Sequence, residues 1–390
     1  MTARLARDLA GFFADCVYPA EPEFAAEGGT ECADSLVLAK VRAEAQRRGW
    51  WNLLSSLHPA ASELDTTTIA ELAEIVGRSP IIGQVALNSF NPDAAVIELI
   101  AALGSAGQRE RWLPGLAEGT ITSALCMSEP GVASSDPRSL TTRGDRGSDG
   151  SFVLSGAKAW CTGAEAPACR LLVVFALTEP DARPADRYSI VLVPRNEPGV
   201  SLAAGHRILG HANTFRGGHP DIVFNAARGD VLGEPGQGLA GAQRVLGPAR
   251  MIHCMRLVGT AERALELMAA RLRSREIAGR SLAENDLWID RIGAARISIE
   301  SMRALVRSMA TQGGSKIAES IVKAEVPARV TEIIDLAIQA HGADGLSGPG
   351  ILADLYAHAR GLRIGDGPDE VHRRVVGRHE LARHELVRHG

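Results

Sequence analysis

Apolar positions change their spacing twice along the chain. In the first 120 residues they recur at helical intervals, as in ARLARDLAGFFADCV and LVLAKVRAEAQRRGWWNLL. AVIELIAALGSAGQRERWLPGLAEG reads as a helix, a glycine break and a second helix closed by glycine. From residue 121 to about 230 the pattern shortens to strand-sized apolar runs: SFVLSGAKAW, RLLVVFALT, YSIVLVP and DIVFN. Gly, Asp and Pro clusters such as RGDRGSDGS and EPDARPADR separate them, which predicts a compact antiparallel β domain. Beyond residue 238 the helical period returns over long stretches. Leu257, Ala261, Ala264, Leu265, Met268 and Leu272 share one face, and Ile289, Ile292, Ile299, Met302, Val306 and Met309 share another. Long helices with one apolar stripe each are the ingredients of a bundle. Pro327 is expected to kink or break the helix around KAEVPARV.

Bulk properties narrow the function. The 390 residues are 45% hydrophobic, enough for more than one domain, and the formal net charge is −4. A general nucleic-acid or membrane surface would carry a basic excess. Six cysteines without CxxC spacing read as reduced thiols, no apolar run reaches the length of a membrane span, and the N-terminus has no signal-peptide core. A cytoplasmic protein is expected. His372, His379, His384 and His389 lack ligand spacing and a carboxylate set, so no metal is expected, and a solvated terminal helix accounts for them. GEPGQG has the letters of a dinucleotide loop but not its strand–turn–helix setting.

Six short stretches carry more specific information. CMSEPGVASSD (126–136), GAKAWCTGA (156–164), LGEPGQG (232–238), SREIAGR (274–280), AIQAHGADG (337–345) and RIGDGPDEVH (363–372) occur in this order and span nearly the whole chain. In wording and order they resemble the motifs of the acyl-CoA dehydrogenase family, and VASSD, LGPARMIHCMR and DGPDEVH resemble the branch of family members ten and eleven. The resemblance implies an α+β multidomain fold. An N-terminal helical domain (1–120) would precede a middle antiparallel β domain (121–237) and a C-terminal four-helix bundle (238–390).

It also implies a reaction, the FAD-dependent α,β-dehydrogenation of an acyl thioester. Asp366 stands where the family has its catalytic Glu, with Gly365 and Gly367 leaving room for close approach by a substrate. A turn residue alone accounts for a GDG tripeptide; the flanking motifs assign it to catalysis. A free Asp carboxyl near pKa ~3.9 is a weak base, and burial beside a flavin is expected to raise it. Met127, Ser128, Trp160 and Thr162 match isoalloxazine contacts. Arg275, Gln339, Gly342 and Glu370 match contacts to the diphosphate and adenosine, those of Arg275 and Gln339 across a subunit boundary. Ser135, Arg250, His253 and Gly367 match the substrate side, where Arg250 and His253, on one helix face, suit a polar or anionic group on the acyl chain. Departures from the family pattern include Ala278 for Phe, Ala343 for the second Gly and Pro368 for a polar residue.

The implied partners are an acyl-CoA or acyl-carrier-protein thioester, an electron-transfer flavoprotein and further copies of the chain as a dimer or tetramer. Two alternatives stay open at this level: a nitroalkane-oxidase-like flavin oxidase on the same fold, which also uses an Asp, and a non-catalytic acyl-CoA-binding homologue.

Overall fold

The structure, a computed structural model, describes residues 2–311, 314–347 and 351–386. The N-terminal elements are α1 (Thr2–Phe12), α2 (Tyr18–Ala26), α3 (Leu36–Arg47), α4 (Thr66–Gly77), α5 (Ile82–Ala86), α6 (Asp93–Leu103) and α7 (Ala106–Glu118). Their starts are set by side chains that accept from orphan backbone N–H groups: Ser35 from Leu38, Asp65 from Thr68, and Ser105 in a reciprocal capping box with Gln108. Phe12, Phe13, Val17, Leu72 and Val76 form the core of this region.

Seven strands follow: β1 (Thr122–Cys126), β2 (Arg143–Arg146), β3 (Phe152–Lys158), β4 (Cys169–Leu177), β5 (Tyr188–Pro194), β6 (Val200–Gly205) and β7 (Pro220–Leu232). The pairings β4–β2–β3–β7–β5 and back to β4 close a ring, with β1 added on β4 and β6 on β7. The sheet is not wholly antiparallel as expected, because β1 runs parallel to β4 and β2 touches β4 in parallel at one residue pair. The unbroken apolar run of β4 has a simple cause. Leu171, Val173 and Phe175 pack toward Val96, Ile97 and Trp112 of α6 and α7, while Leu172, Val174 and Ala176 join Phe152, Leu154 and Phe224 on the other face.

The C-terminal region opens with α8 (Gly238–Ser274), followed by the short hairpin β8 (Glu276–Ile277) and β9 (Arg280–Ser281). Then come α9 (Asp286–Thr311), α10 (Lys316–His341), α11 (Leu352–Leu362) and α12 (Asp369–Leu386). Met268, Ile299, Met302, Val306, Val330 and Ile334 build its core. Ile289 departs from the expected stripe and is 55% exposed. Pro327 does not break its helix: α10 runs through it from Lys316 to His341.

Helix α8 also crosses α4 at backbone contact. A Cβ on Gly77 would lie 1.8 Å from the Arg256 carbonyl oxygen, and one on Gly259 would lie 1.9 Å from that of Glu74. The Thr260 hydroxyl donates to the Gly77 carbonyl at 2.8 Å. This crossing fixes the middle of α8, which carries His253 and Arg256, against the N-terminal region.

Candidate active site

Asp366 sits on the turn between α11 and α12 with φ +57, a left-handed conformation that Asp tolerates better than most residues. Three contacts hold this turn. The buried Lys323 ammonium on α10 donates to the carbonyls of Leu362 (2.6 Å) and Gly367 (3.3 Å), capping the end of α11. His372 Nε2 donates to the Asp366 carbonyl at 3.2 Å. Gly367, at φ +100, leaves room for that imidazole, since a Cβ there would come within 2.9 Å of His372 Nε2. His372 is therefore not a solvated tail histidine as expected: it is 6% exposed. His379 and His384 are exposed on α12, and His389 lies outside the described residues.

The Asp366 carboxylate meets the first long C-terminal helix. Asp366 Oδ2 lies 2.9 Å from His253 Nδ1, and His253 Nε2 meets the Asn91 side-chain amide. With that amide donating to Nε2, Nδ1 carries the hydrogen and donates to the carboxylate. Burial pushes the Asp366 carboxyl up. The His253 hydrogen bond, with the positive charges of Lys323 and Arg250, outweighs it and holds the group well below the usual carboxylate range. The expectation of a raised pKa is thus reversed, because sequence alone did not show the donors gathered around the acid. The side chain keeps 37% of its surface exposed, so a face remains open to a reactant. Arg250 does not join His253 in a free anion-binding pair; it bonds Glu319 at 3.2 Å.

A second cluster forms at the end of the β domain. Trp160, at φ +59, is 46% exposed and stacks on His206, with ring centroids 4.1 Å apart. Asp221 ties the two together, 2.7 Å from His206 Nε2 and accepting from the Trp160 backbone N–H at 3.3 Å. Thr162 Oγ1 lies 2.8 Å from His219 Nδ1, and the Asn213 amide lies 3.0 Å from His219 Nε2. Asn213 donating there makes Nδ1 the donor to Thr162, which leaves the Thr162 hydroxyl hydrogen free to point outward. Burial, then the neighbouring His206, pushes the His219 imidazole down, in keeping with this neutral tautomer.

Met127 and Ser128 are fixed beside this cluster by a buried ion pair. Lys158, fully buried, bonds Glu129 at 2.7 Å and donates to the Met127 carbonyl at 3.1 Å, while the Ala159 N–H donates to the Ser128 carbonyl. Glu129 also accepts from the backbone of Thr141 and Thr142. Burial raises its carboxyl, but Lys158 and these donors bring it down to about 2. The β6–β7 loop connects the neighbourhoods of the two clusters: His206 stacks on Trp160, and two residues later Ile208 Cγ2 lies where a Cβ on Gly361, at the end of α11, would meet it at 3.9 Å.

Arg275, Gln339 and Gly342 lie elsewhere. Arg275 ends α8 and Gln339 is near the end of α10; both are exposed, and Gly342 follows at φ +63. The 22 residue steps from His253 to Arg275, the residue that caps α8, correspond to about 33 Å of helix. Ser135 is exposed on the β1–β2 loop, and Glu370 is exposed in the first turn of α12, next to the buried Asp369 that binds Arg363. Sequence reasoning missed Asn91, Lys323 and the roles of Glu129 and His372. The one available signal was a lysine, Lys323, in an otherwise apolar helix face.

Comparison with known proteins agrees with this architecture. Residues 124–225 match the family model "Acyl-CoA dehydrogenase, middle domain", and residues 236–381 match "Acyl-CoA dehydrogenase, C-terminal domain". The Mycobacterium tuberculosis protein named Probable acyl-CoA dehydrogenase FadE2 is 40% identical over 96% of this chain and 93% of its own length. Acyl-CoA dehydrogenase family member 11 of Rattus norvegicus is 37% identical over 95% of this chain, which spans only 49% of that protein. A solved structure from Mycobacterium abscessus, assigned to the acyl-CoA dehydrogenases, superposes with a TM-score of 0.93 at 36% identity and 98% coverage of both chains. Butyryl-CoA dehydrogenase of Megasphaera elsdenii shares the fold, with a TM-score of 0.80 at 20% identity over 97% of this chain and 98% of its own.

Proposed function

The chain belongs to the acyl-CoA dehydrogenase family, and from that premise we propose that it carries out α,β-dehydrogenation of an acyl thioester with Asp366 as the α-proton base. The observation that carries this reading is a carboxylate kept ionised, partly open, on a turn fixed from three sides.

FAD is the family's cofactor, and when bound it supplies the acceptor for the β-hydrogen. The residues present fit it. The exposed indole of Trp160 offers an apolar face, the outward Thr162 hydroxyl offers a donor, and Met127 and Ser128 lie on the segment that Lys158 and Glu129 make rigid. Arg275, Gln339 and Gly342 are too far along the bundle to join Asp366 in the same chain, which supports a role for them toward the cofactor of a second copy. The substrate is an acyl-CoA or a carrier-protein thioester, and an electron-transfer flavoprotein is the natural electron acceptor for a dehydrogenase of this family.

The remaining steps belong to this chain's own groups. Asp366 takes the α-proton, and in this reading its backbone N–H, beside Gly367, donates to the thioester oxygen as charge develops there. The cations around Asp366 lower its basicity but keep it free of a proton at working pH, so the barrier is met by acidifying the substrate and not by raising the base.

The test is anaerobic mixing of purified, FAD-loaded protein with a panel of acyl-CoA thioesters while the flavin absorbance is followed. Bleaching by at least one thioester supports the reading. A protein that takes up no FAD, or one that takes it up but is bleached by no thioester, contradicts it. Rapid reoxidation of the bleached flavin by oxygen would move the assignment to an oxidase.

A further inference from the structure

His219 is a buried imidazole, 5% exposed, to which the reaction itself gives no task. Backbone register sets its place. The Cys161 N–H donates to the Pro220 carbonyl at 2.9 Å, and the Gly163 N–H donates to the Gly218 carbonyl at 3.1 Å. Thr162 and His219 therefore face one another between two cross-chain bonds. The approach of the two segments needs glycine at Gly217 and Gly218, at φ +75 and +59, and a Cβ on Gly217 would lie 2.2 Å from the Ala166 nitrogen.

Asn213 meets the imidazole from the far side. It is left-handed at φ +56, which Asn tolerates. Its carbonyl accepts from the N–H groups of Arg216 (3.1 Å) and Gly218 (3.2 Å), and its own N–H donates to Glu31 Oε1 at 3.2 Å. The side-chain amide so held donates to His219 Nε2 at 3.0 Å. A neutral imidazole that accepts at Nε2 carries its hydrogen at Nδ1, which donates to Thr162 Oγ1 at 2.8 Å. That oxygen meets no other partner among the described residues, so its hydrogen is directed away from His219. Asn213, His219 and Thr162 thus form a chain in which every hydrogen points the same way, toward the half-exposed indole side of the cluster.

We propose that His219 and Asn213 are positioning residues that fix Thr162 as a hydrogen-bond donor toward the hydride-accepting nitrogen of the flavin, and so give the protein a preference for the oxidised cofactor. The inference rests on the reading that FAD binds beside Trp160 and Thr162. An oxidised isoalloxazine offers an acceptor at that nitrogen, whereas the reduced ring carries an N–H there. A donor of fixed direction stabilises the first more than the second and lowers the reduction potential. The opposite chain, with Thr162 donating to Nδ1, would consume the hydroxyl hydrogen inside the protein and favour the reduced ring.

The test is the midpoint potential of the FAD-loaded protein without substrate, measured anaerobically against a reference dye. Thr162→Val should shift the oxidised-to-reduced ratio at least tenfold toward the reduced form, an upward move of about 30 mV for a two-electron couple, and Thr162→Ser should restore it. His219→Leu should move the potential in the same direction and add nothing in the double variant with Thr162→Val. His219→Gln, whose amide still donates to Thr162, should recover most of that move. Asn213→Gly keeps the left-handed backbone and removes only the amide; its shift should be upward by about threefold in the ratio, and it supplies the result if His219→Leu does not fold. A downward shift in Thr162→Val overturns the proposal while leaving FAD beside Thr162. So do His219 and Asn213 variants that keep the wild-type potential, or shifts that add to that of Thr162→Val. A potential that does not respond to Thr162→Val takes down the reading of the cofactor site as well.

Discussion

His253 Nδ1 stands 2.9 Å from Asp366 Oδ2, joining a turn near the chain's end to a helix 113 residues earlier. The acid is thereby held by the same helix that α4 locks in place at Gly77 and Gly259. Removing the donor should loosen its position and raise its proton affinity. In His253→Ala the carboxyl loses its largest source of stabilisation in the ionised form, so its pKa rises toward the ordinary value. The acidic limb of kcat/KM against pH is expected to move upward by about one pH unit or more. An unchanged limb would mean that the pair does not set the ionisation of the base.

Gly367 is the position where substitution is least tolerable on the turn. Its φ of +100 and the 2.9 Å approach of His372 leave no place for a Cβ. Gly367→Ala should lower stability by about 1–3 kcal/mol and displace His372 from the Asp366 carbonyl. A drop in Tm with a weaker response to substrate is the expected pattern, whereas Gly365→Ala, whose added Cβ meets nothing closer than 3.6 Å, should be mild.

The Lys158–Glu129 pair supports the segment carrying Met127 and Ser128 from beneath. Glu129→Gln leaves a fully buried ammonium without its counter-ion, and the expected loss is about 3–5 kcal/mol by denaturant unfolding. Lys158 is already pushed down by burial, and without Glu129 it shifts further. FAD retention should fall along with stability, because the Met127 carbonyl and the Glu129 carboxylate share one donor.

Acidification should weaken the fold before carboxylates titrate. His358 binds a proton near pH 6.5 when unfolded but near 4 when folded, so its contribution is complete above 6.5 and is lost as the pH falls toward 4. The difference amounts to about 3 kcal/mol at the lower end. His219 and His372 are lowered too and add in the same direction, while the depressed Asp366 loses its contribution only below that window. Comparing Tm at pH 7 and pH 5 in the wild type and in His358→Gln isolates the contribution of this histidine: the decline should be shallower in the variant.

Much of the architecture was legible from periodicity. The change from helical to strand spacing near residue 121 and back near 238 follows from which faces each element buries. β4 reads as a continuous apolar run because Leu171–Phe175 serve two cores at once. The position of Asp366 was legible through its flanking stretch. Its partners were not, because His253, Asn91 and Lys323 are ordinary letters on their own helices and acquire meaning only where the helices cross. The same limit reversed the sign of the Asp366 shift: burial can be guessed from a motif, but the His253 donor and the Lys323 and Arg250 charges that converge on it cannot. Arg250 was read as a free cation because sequence does not show that Glu319 already pairs with it.

The central claim is that the Asp366 carboxylate removes the substrate's α-proton. The most direct measurement is anaerobic bleaching of FAD-loaded Asp366→Asn by the best thioester of the wild type. Asn keeps the size of the side chain, so the variant should hold its FAD and its fold while the bleaching rate falls roughly 10²- to 10⁴-fold. Bleaching at the wild-type rate by a fully loaded variant would contradict the account.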